Sequence, residues 1–169
     1  SSPENGLIRV RDNGITTFVD KTGKEVLRLE KGYDAAYFYE GLAGIVNEGT
    51  NKHGFIDITG KIVIPTIYDY TGDFKDGLAF VMKDDKCGYI DKTGKEVIPI
   101  IYDHVGEFKG GLAKIKNNFK YGYINKTGKI VVPIKYYSIG KFKEGLAYFL
   151  VKGNSSREYK YGYVDKTGN

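Results

Sequence analysis

A four-residue motif, Asp or Asn followed by one residue and then Thr-Gly, recurs with its glycines at 23, 60, 94, 128 and 168, separations of 37, 34, 34 and 40 residues. A second motif, Gly-Leu-Ala, begins at 41, 77, 111 and 145, spaced 36, 34 and 34. Two independent registers with nearly one period define an internal repeat. A unit of this length cannot bury its own apolar face, so neighbouring copies must stack to make a core. The copies fall at about 6–40, 41–76, 77–110, 111–144 and 145–169, a single array over residues 1–169. The last copy is longer by the polar segment GNSSRE, 153–158, an insertion expected in a loop.

Fifteen Tyr, nine Phe and 23 Gly with no Trp favour strands and tight turns over helices, and 41% apolar residues suffice for a core. After Gly-Leu each copy alternates, so that Ala43 and Ile45, Ala79 and Val81, Ala113 and Ile115, and Ala147 and Phe149 share one face, the buried one. Gly44, Phe80, Lys114 and Tyr148 stand on the other. An aromatic-rich strand such as Cys87–Asp91 follows, then a turn, then a Val-rich strand such as 96–98, which Pro65, Pro99 and Pro133 are expected to end. The remaining third, as in IYDHVGEFKGG at 101–111, reads as a long connection with one helical turn, anchored by Tyr68, Tyr102 and Tyr136 with Phe74, Phe108 and Phe142. The expected fold is all-β: an open array of four to five three-stranded antiparallel units. A small β-propeller is the alternative, although about 34 residues hardly fill a four-stranded blade.

Asp20, Asp57, Asp91, Asn125 and Asp165 open the Thr-Gly turns, where a side-chain oxygen can accept backbone N–H bonds and the glycine supplies left-handed φ. Asn125 argues for a turn role over catalysis, because Asn accepts the same bonds and is no general acid.

These motifs resemble the bacterial WG repeats, also called KWG repeats, in which K-W-G-[YF]-[IV]-D-x-T-G-K is followed by P-x-x-Y-D and G-L-A. Lys52-His53-Gly54-Phe55, Lys86-Cys87-Gly88-Tyr89, Lys120-Tyr121-Gly122-Tyr123 and Lys160-Tyr161-Gly162-Tyr163 stand at the signature, with 65–69 and 99–103 at the second element. His53, Cys87, Tyr121 and Tyr161 replace the tryptophan. The resemblance implies an all-β array used in binding or assembly, with no defined ligand.

No enzyme signature is present, and no catalytic residue, cofactor or metal site is expected. One Cys and two His cannot form a cysteine-based or three-histidine zinc site. GYIDKTGK lacks the spacing and the Ser or Thr of a phosphate-binding loop. Asn125-Lys126-Thr127 and Asn154-Ser155-Ser156 fit the glycosylation pattern, which is common by chance. No apolar run is long enough for a transmembrane helix. The polar start, SSPENG, without Met, reads as a trimmed or mature chain of a longer array, with an extracellular or cell-envelope location expected and a cytoplasmic one as the alternative.

The binding residues expected on this pattern are the ring column Phe55, Tyr89, Tyr123 and Tyr163, which offers sugars an apolar face, and the turn lysines Lys92, Lys95, Lys126 and Lys129. The rings alternate with Ile56, Ile90, Ile124 and Val164, so one of the two columns faces outward unless both faces are covered. Turn lysines would line one rim and the acidic residues of the connections, Asp69, Asp73, Asp76, Asp103 and Glu107 among them, the other. Partners that fit are a glycan or anionic wall polymer, or else a protein held by a scaffold; nucleic acid is not the expected partner.

Overall fold

Each Gly-Leu-Ala segment begins a strand because its alternation buries one face, and the computed structural model, which describes residues 6–153 and 158–169, pairs these strands into five small antiparallel sheets. Residues 154–157 of the GNSSRE segment, with the second glycosylation pattern, lie outside the described residues, as do 1–5. The first sheet is β1 (Ile8–Asp12), β2 (Ile15–Val19) and β3 (Glu25–Arg28); the second is β4 (Tyr33–Tyr39), β5 (Leu42–Asn47), β6 (Lys52–Asp57) and β7 (Ile62–Tyr68). The third contains β8 (Tyr70–Thr71), β9 (Leu78–Lys83), β10 (Lys86–Asp91) and β11 (Glu96–Tyr102). The fourth has β12 (His104–Val105), β13 (Leu112–Asn117), β14 (Lys120–Asn125) and β15 (Ile130–Tyr136), and the fifth β16 (Ser138–Ile139), β17 (Leu146–Lys152) and β18 (Tyr159–Asp165). The all-β architecture and the period read from the sequence are both present.

Two local details differ from expectation. The connections contain no helical turn among the described residues; β8, β12 and β16 arise there and add a short fourth strand or the first of three. The prolines do not end strands either. β7 and β15 run through Pro65 and Pro133, because the ladder jumps at these points: His53 pairs with Tyr68 and Phe55 with Ile64, two residues facing four, and Tyr121–Tyr136 and Tyr123–Val132 repeat the irregularity. A bulge demands no ladder N–H from the extra residues, so proline fits inside it.

The chain divides into two compact units, one comprising the chain up to Asp85 with Tyr89–Glu96, the other Lys86–Gly88 with the chain from Val97 onward. In the first, Phe18, Leu27, Phe38, Ala43, Ile45 and Ile56 form one cluster, with the Phe18 and Phe38 rings edge to face at 5.1 Å. In the second, Tyr123, Val132, Tyr136, Ala147 and Val164 do the same. The expected buried face is buried, apart from Phe149, which is half-buried. Each fully buried aliphatic side chain contributes roughly 1.5–3 kcal/mol, so these layers dominate stability.

Turn glycines join the layers. Gly60 has φ +83°, and a Cβ there would stand 2.6 Å from Leu27 Cδ1; Gly168, φ +93°, would meet the Val131 carbonyl oxygen at 2.6 Å. Gly168 therefore needs glycine both for conformation and for close approach to backbone, whereas at Gly60 the left-handed φ is the main requirement, since the Leu27 methyl can move.

Candidate functional site

Every Thr-Gly turn has the same internal bonding. Asp91 Oδ1 accepts the Thr93 N–H at 2.9 Å, the Thr93 hydroxyl at 2.6 Å and the Lys95 N–H at 3.1 Å, while the Gly94 N–H donates to the Asp91 carbonyl. Asn125 Oδ1 accepts the matching three bonds from Thr127 and Lys129. The oxygen acts as an acceptor within the turn. The Thr59 and Thr93 hydroxyls hold the Asp57 and Asp91 carboxyls below the usual carboxylate range, and Asp20 and Asp165 follow the same pattern. A folded pKa lower than the unfolded one gives stability that is complete above about pH 4 and is lost as pH falls through the folded value. Asp91→Asn is therefore expected to leave the neutral-pH melting temperature nearly unchanged and to flatten its acid-side decline, whereas Asp91→Ala lowers it at every pH; thermal melts between about pH 2 and pH 7 check this.

The signature lysine and the aspartate of P-x-x-Y-D meet across the hairpin. Lys86 Nζ lies 2.6 Å from Asp103 Oδ1, and Asp103 Oδ2 accepts the Asn118 N–H at 2.8 Å; Lys52 pairs with Asp69 in the same way, and Asp69 Oδ2 accepts the Asp84 N–H at 2.7 Å. In the following copy Tyr137 stands in place of the aspartate, and Lys120 Nζ sits 5.8 Å from its ring centroid. A cation–π contact replaces the ion pair. Water screens both clasps at these half-exposed positions, so they contribute little beside the apolar layers that hold the fold.

The predicted ring column is divided between core and surface. Phe55, Tyr89 and Tyr123 are buried, at 0%, 8% and 6% exposure, and Tyr163 is 67% exposed. Phe55 packs on Phe74 at 4.7 Å, and Tyr123 on Phe142 at 4.9 Å with its hydroxyl donating to the Gly140 carbonyl at 2.6 Å. Ile56, Ile90, Ile124 and Val164 are buried as well, so both faces of the signature strand are covered in those copies. Three of the four rings thus serve the core.

Of the expected lysines, Lys95 and Lys129 are exposed, Lys126 is half-buried, and Lys92 is engaged with Glu40 at 3.2 Å. At the tryptophan position, His53 is half-buried, and burial pushes its imidazole down, against the opposing charge of Asp69. Cys87 is buried, and burial pushes its thiol up, which favours the thiol over the thiolate. No cluster of metal-ligating side chains exists among the described residues, and no described helix is long and apolar enough to cross a membrane.

Two features escaped the sequence pattern. On the fifth sheet Tyr148, Tyr161 and Tyr163 form an exposed group, with Tyr148 6.4 Å from the Tyr161 ring and 6.1 Å from that of Tyr163. Cavities were the other. One of about 390 Å³ in the first unit opens beside Gly44, where its equivalents carry side chains, and is lined by Arg9, Asp34, His53 and Tyr70. Its guanidinium is already matched: Arg9 Nη2 lies 2.5 Å from Asp34 Oδ1, and Asp34 also pairs with Arg11. A second cavity, of about 560 Å³ in the second unit, has Tyr123, Phe142 and Leu112 in its wall among several lysines. The signal for both lay in departures between copies, at Gly44, Lys114 and Tyr148, rather than in their sameness.

Among solved structures the chain is similar to Kluyveromyces lactis Hsv2. With the form in which loop 6CD is replaced by a Gly-Ser linker, the TM-score is 0.50 at 9% identity, covering 98% of this chain and 60% of that one. The chain therefore spans about 60% of the length of that structure, and the likeness concerns the fold alone. A protein of unknown function from Bacteroides caccae overlaps 98% of this chain and 76% of its own at a TM-score of 0.35 and 12% identity. No curated protein matched the sequence. The family profile described as WG containing repeat matches residues 17–50, 54–87, 88–121 and 121–154, most of the length and in register with the turns and clasps above. The chain belongs to the WG-containing repeat family.

Proposed function

We propose that this chain is a non-catalytic binding module that presents tyrosine rings and turn lysines to a glycan or anionic wall polymer, a ligand that goes with an extracellular or envelope location. The observation that carries this reading is the pair of turn lysines Lys95 and Lys129, which stay exposed in copies that the sequence holds whole; Tyr148, Tyr161 and Tyr163, exposed by 44%, 75% and 67%, stand on the last sheet, whose counterpart of β11 and β15 lies beyond residue 169. Exposed flat rings with hydroxyl edges suit sugar faces, which are apolar above and below and polar at the rim. Of the ring column, Tyr163 is the accessible member, and Tyr161 occupies the position of the family tryptophan. The exposed Lys95 and Lys129 add long-range attraction for negative charge.

Retention on immobilised glycans and wall polymers tests the reading. Each of Tyr161→Ala and Tyr163→Ala is expected to weaken retention by up to about tenfold, the equivalent of a ring contact of roughly 0.5–1.5 kcal/mol. Unchanged retention in the double variant would sink the platform, and release by salt alone would assign the binding to the lysines. A protein scaffold is the second reading, favoured by the exposed Ile67 and Ile101 at equivalent places on β7 and β11. Apolar side chains exposed at a fixed spacing suit a protein partner. Recovery of a protein in pull-down, with no polymer retained, would support that reading.

A further inference from the structure

Residues 40, 76, 110 and 144 occupy one column, the first position of the two-residue turn that precedes Leu-Ala. All four take left-handed φ, 51°, 53°, 58° and 49°, and the next residue in each case is a positive-φ glycine. Their identities are Glu, Asp, Gly and Glu. In the first unit the carboxylate of this column faces a turn lysine: Lys92 Nζ lies 3.2 Å from Glu40 Oε2 and 2.8 Å from the Glu40 carbonyl oxygen. Lys166 is the equivalent lysine for Gly110. A Cβ on Gly110 would stand 3.8 Å from Lys166 Nζ, so the two positions face each other as Glu40 and Lys92 do, but the carboxylate is missing. Among the described residues Lys166 makes no ion pair.

Lys166 opens on the cavity of about 560 Å³ in the second unit, which Lys109, Lys114, Lys141 and His104 also line, with Glu107 as the one carboxylate. Lys114 is held in the wall, its Nζ donating to the Ile139 carbonyl at 3.3 Å and lying 5.4 Å from the Tyr121 ring centroid. The same sequence positions one period earlier are Lys75, Phe80, Glu107, Lys126, Tyr70 and Asp73, with Asp76 in the column of Gly110. Four lysines against one carboxylate in this cavity correspond to two lysines against three carboxylates in the preceding set. The positive charge is gathered where three copies contribute side chains to one cavity, and it does not recur at the equivalent positions one period earlier.

Four ammonium groups around a concave site repel one another unless negative charge enters between them. Lysine ammoniums are compact point charges with three rotatable donors each, which suits tetrahedral oxyanions whose several acceptors face different directions. We infer that this cavity is a single binding site for a ligand carrying two or more closely spaced oxyanions, with linked phosphates as the chemical class, and that the loss of the carboxylate at position 110 created it. The site is distinct from the tyrosine platform, since a polyphosphate has no ring to stack.

Calorimetric titration of the whole chain with sodium tripolyphosphate, at about 50 mM salt where lysine–phosphate attraction is little screened, tests the assignment. One site per chain is expected. Gly110→Glu should weaken binding at least about tenfold, because it restores the carboxylate that Glu40 presents to Lys92, at a φ that Glu40 and Glu144 already adopt. Lys166→Ala should weaken it similarly, and Lys129→Ala and Tyr161→Ala should leave it unchanged; thermal melts of Gly110→Glu verify that it folds. Absence of saturable binding, several equivalent sites, or equal weakening by Lys129→Ala and Gly110→Glu would overturn the inference, the last by showing diffuse attraction to surface charge. A parallel titration with a sulfated oligosaccharide separates the two oxyanion sources: if that ligand alone binds in a Gly110→Glu-sensitive manner, the phosphate assignment is wrong. Failure of the tyrosine platform would leave the tripolyphosphate result untouched.

Discussion

Gly122→Ala is expected to destabilise the protein by about 3 kcal/mol, more than Gly94→Ala, at roughly 1–2 kcal/mol. Gly94 has φ +84° but only ordinary contact with its neighbour, a Cβ there lying 3.6 Å from Ile64 Cγ1. Its cost is conformational. Gly122 belongs to the signature strand, where a Cβ would stand 2.5 Å from the Val132 carbonyl oxygen and 2.9 Å from the carbonyl carbon and oxygen of Pro133. Those are backbone atoms of the bulged neighbouring strand and cannot rotate away, so β14 and β15 must separate. Gly54 and Gly88 meet the Ile64 and Ile98 carbonyl oxygens in the same manner. Urea unfolding of both variants measures the difference, and equal losses would mean that close approach is not what the signature glycine provides.

Phe55→Ala should cost about 3–5 kcal/mol, whereas Tyr163→Ala, in the same sequence column, should stay within about 0.5 kcal/mol. The Phe55 ring is completely buried and packs on Phe74, so truncation leaves a cavity that bulged backbone cannot close. Tyr163 touches Tyr148 and solvent. Paired denaturant titrations would read the contrast directly. Comparable losses would require that Tyr163 be packed in solution, which would also remove it from the proposed platform.

What the sequence made legible was local. The Asp-x-Thr-Gly turns close on their own atoms, so five similar segments predict five similar turns, and Asn125 already indicated an acceptor rather than an acid. Alternation after Gly-Leu identified the Ala43, Ala79, Ala113 and Ala147 face because a strand exposed to one core obeys a period of two. The prolines were misread because a bulge depends on what the neighbouring strand does, and nothing in Pro65 itself announces that two residues of β6 oppose four of β7. The ring column was read as accessible for a related reason: Phe55 and Tyr123 are covered by Phe74 and Phe142, which arrive from the connection that follows the third strand of the same copy. The lysine cavity was invisible to a search for sameness, since it exists through what Gly110, Lys114 and Lys141 do not share with their counterparts.

The double covering of the signature strand also governs how such a chain can diverge by duplication. Once the Phe55 and Ile56 positions and their equivalents at 89, 90, 123 and 124 are packed on both faces, those two columns cannot turn polar without a large loss of stability. The positions left to change are those the stacking does not use, such as the column Gly44, Phe80, Lys114 and Tyr148, and these now hold nothing, an aromatic ring, a cation and an exposed phenol. New specificity can therefore be written one copy at a time into an unchanged frame.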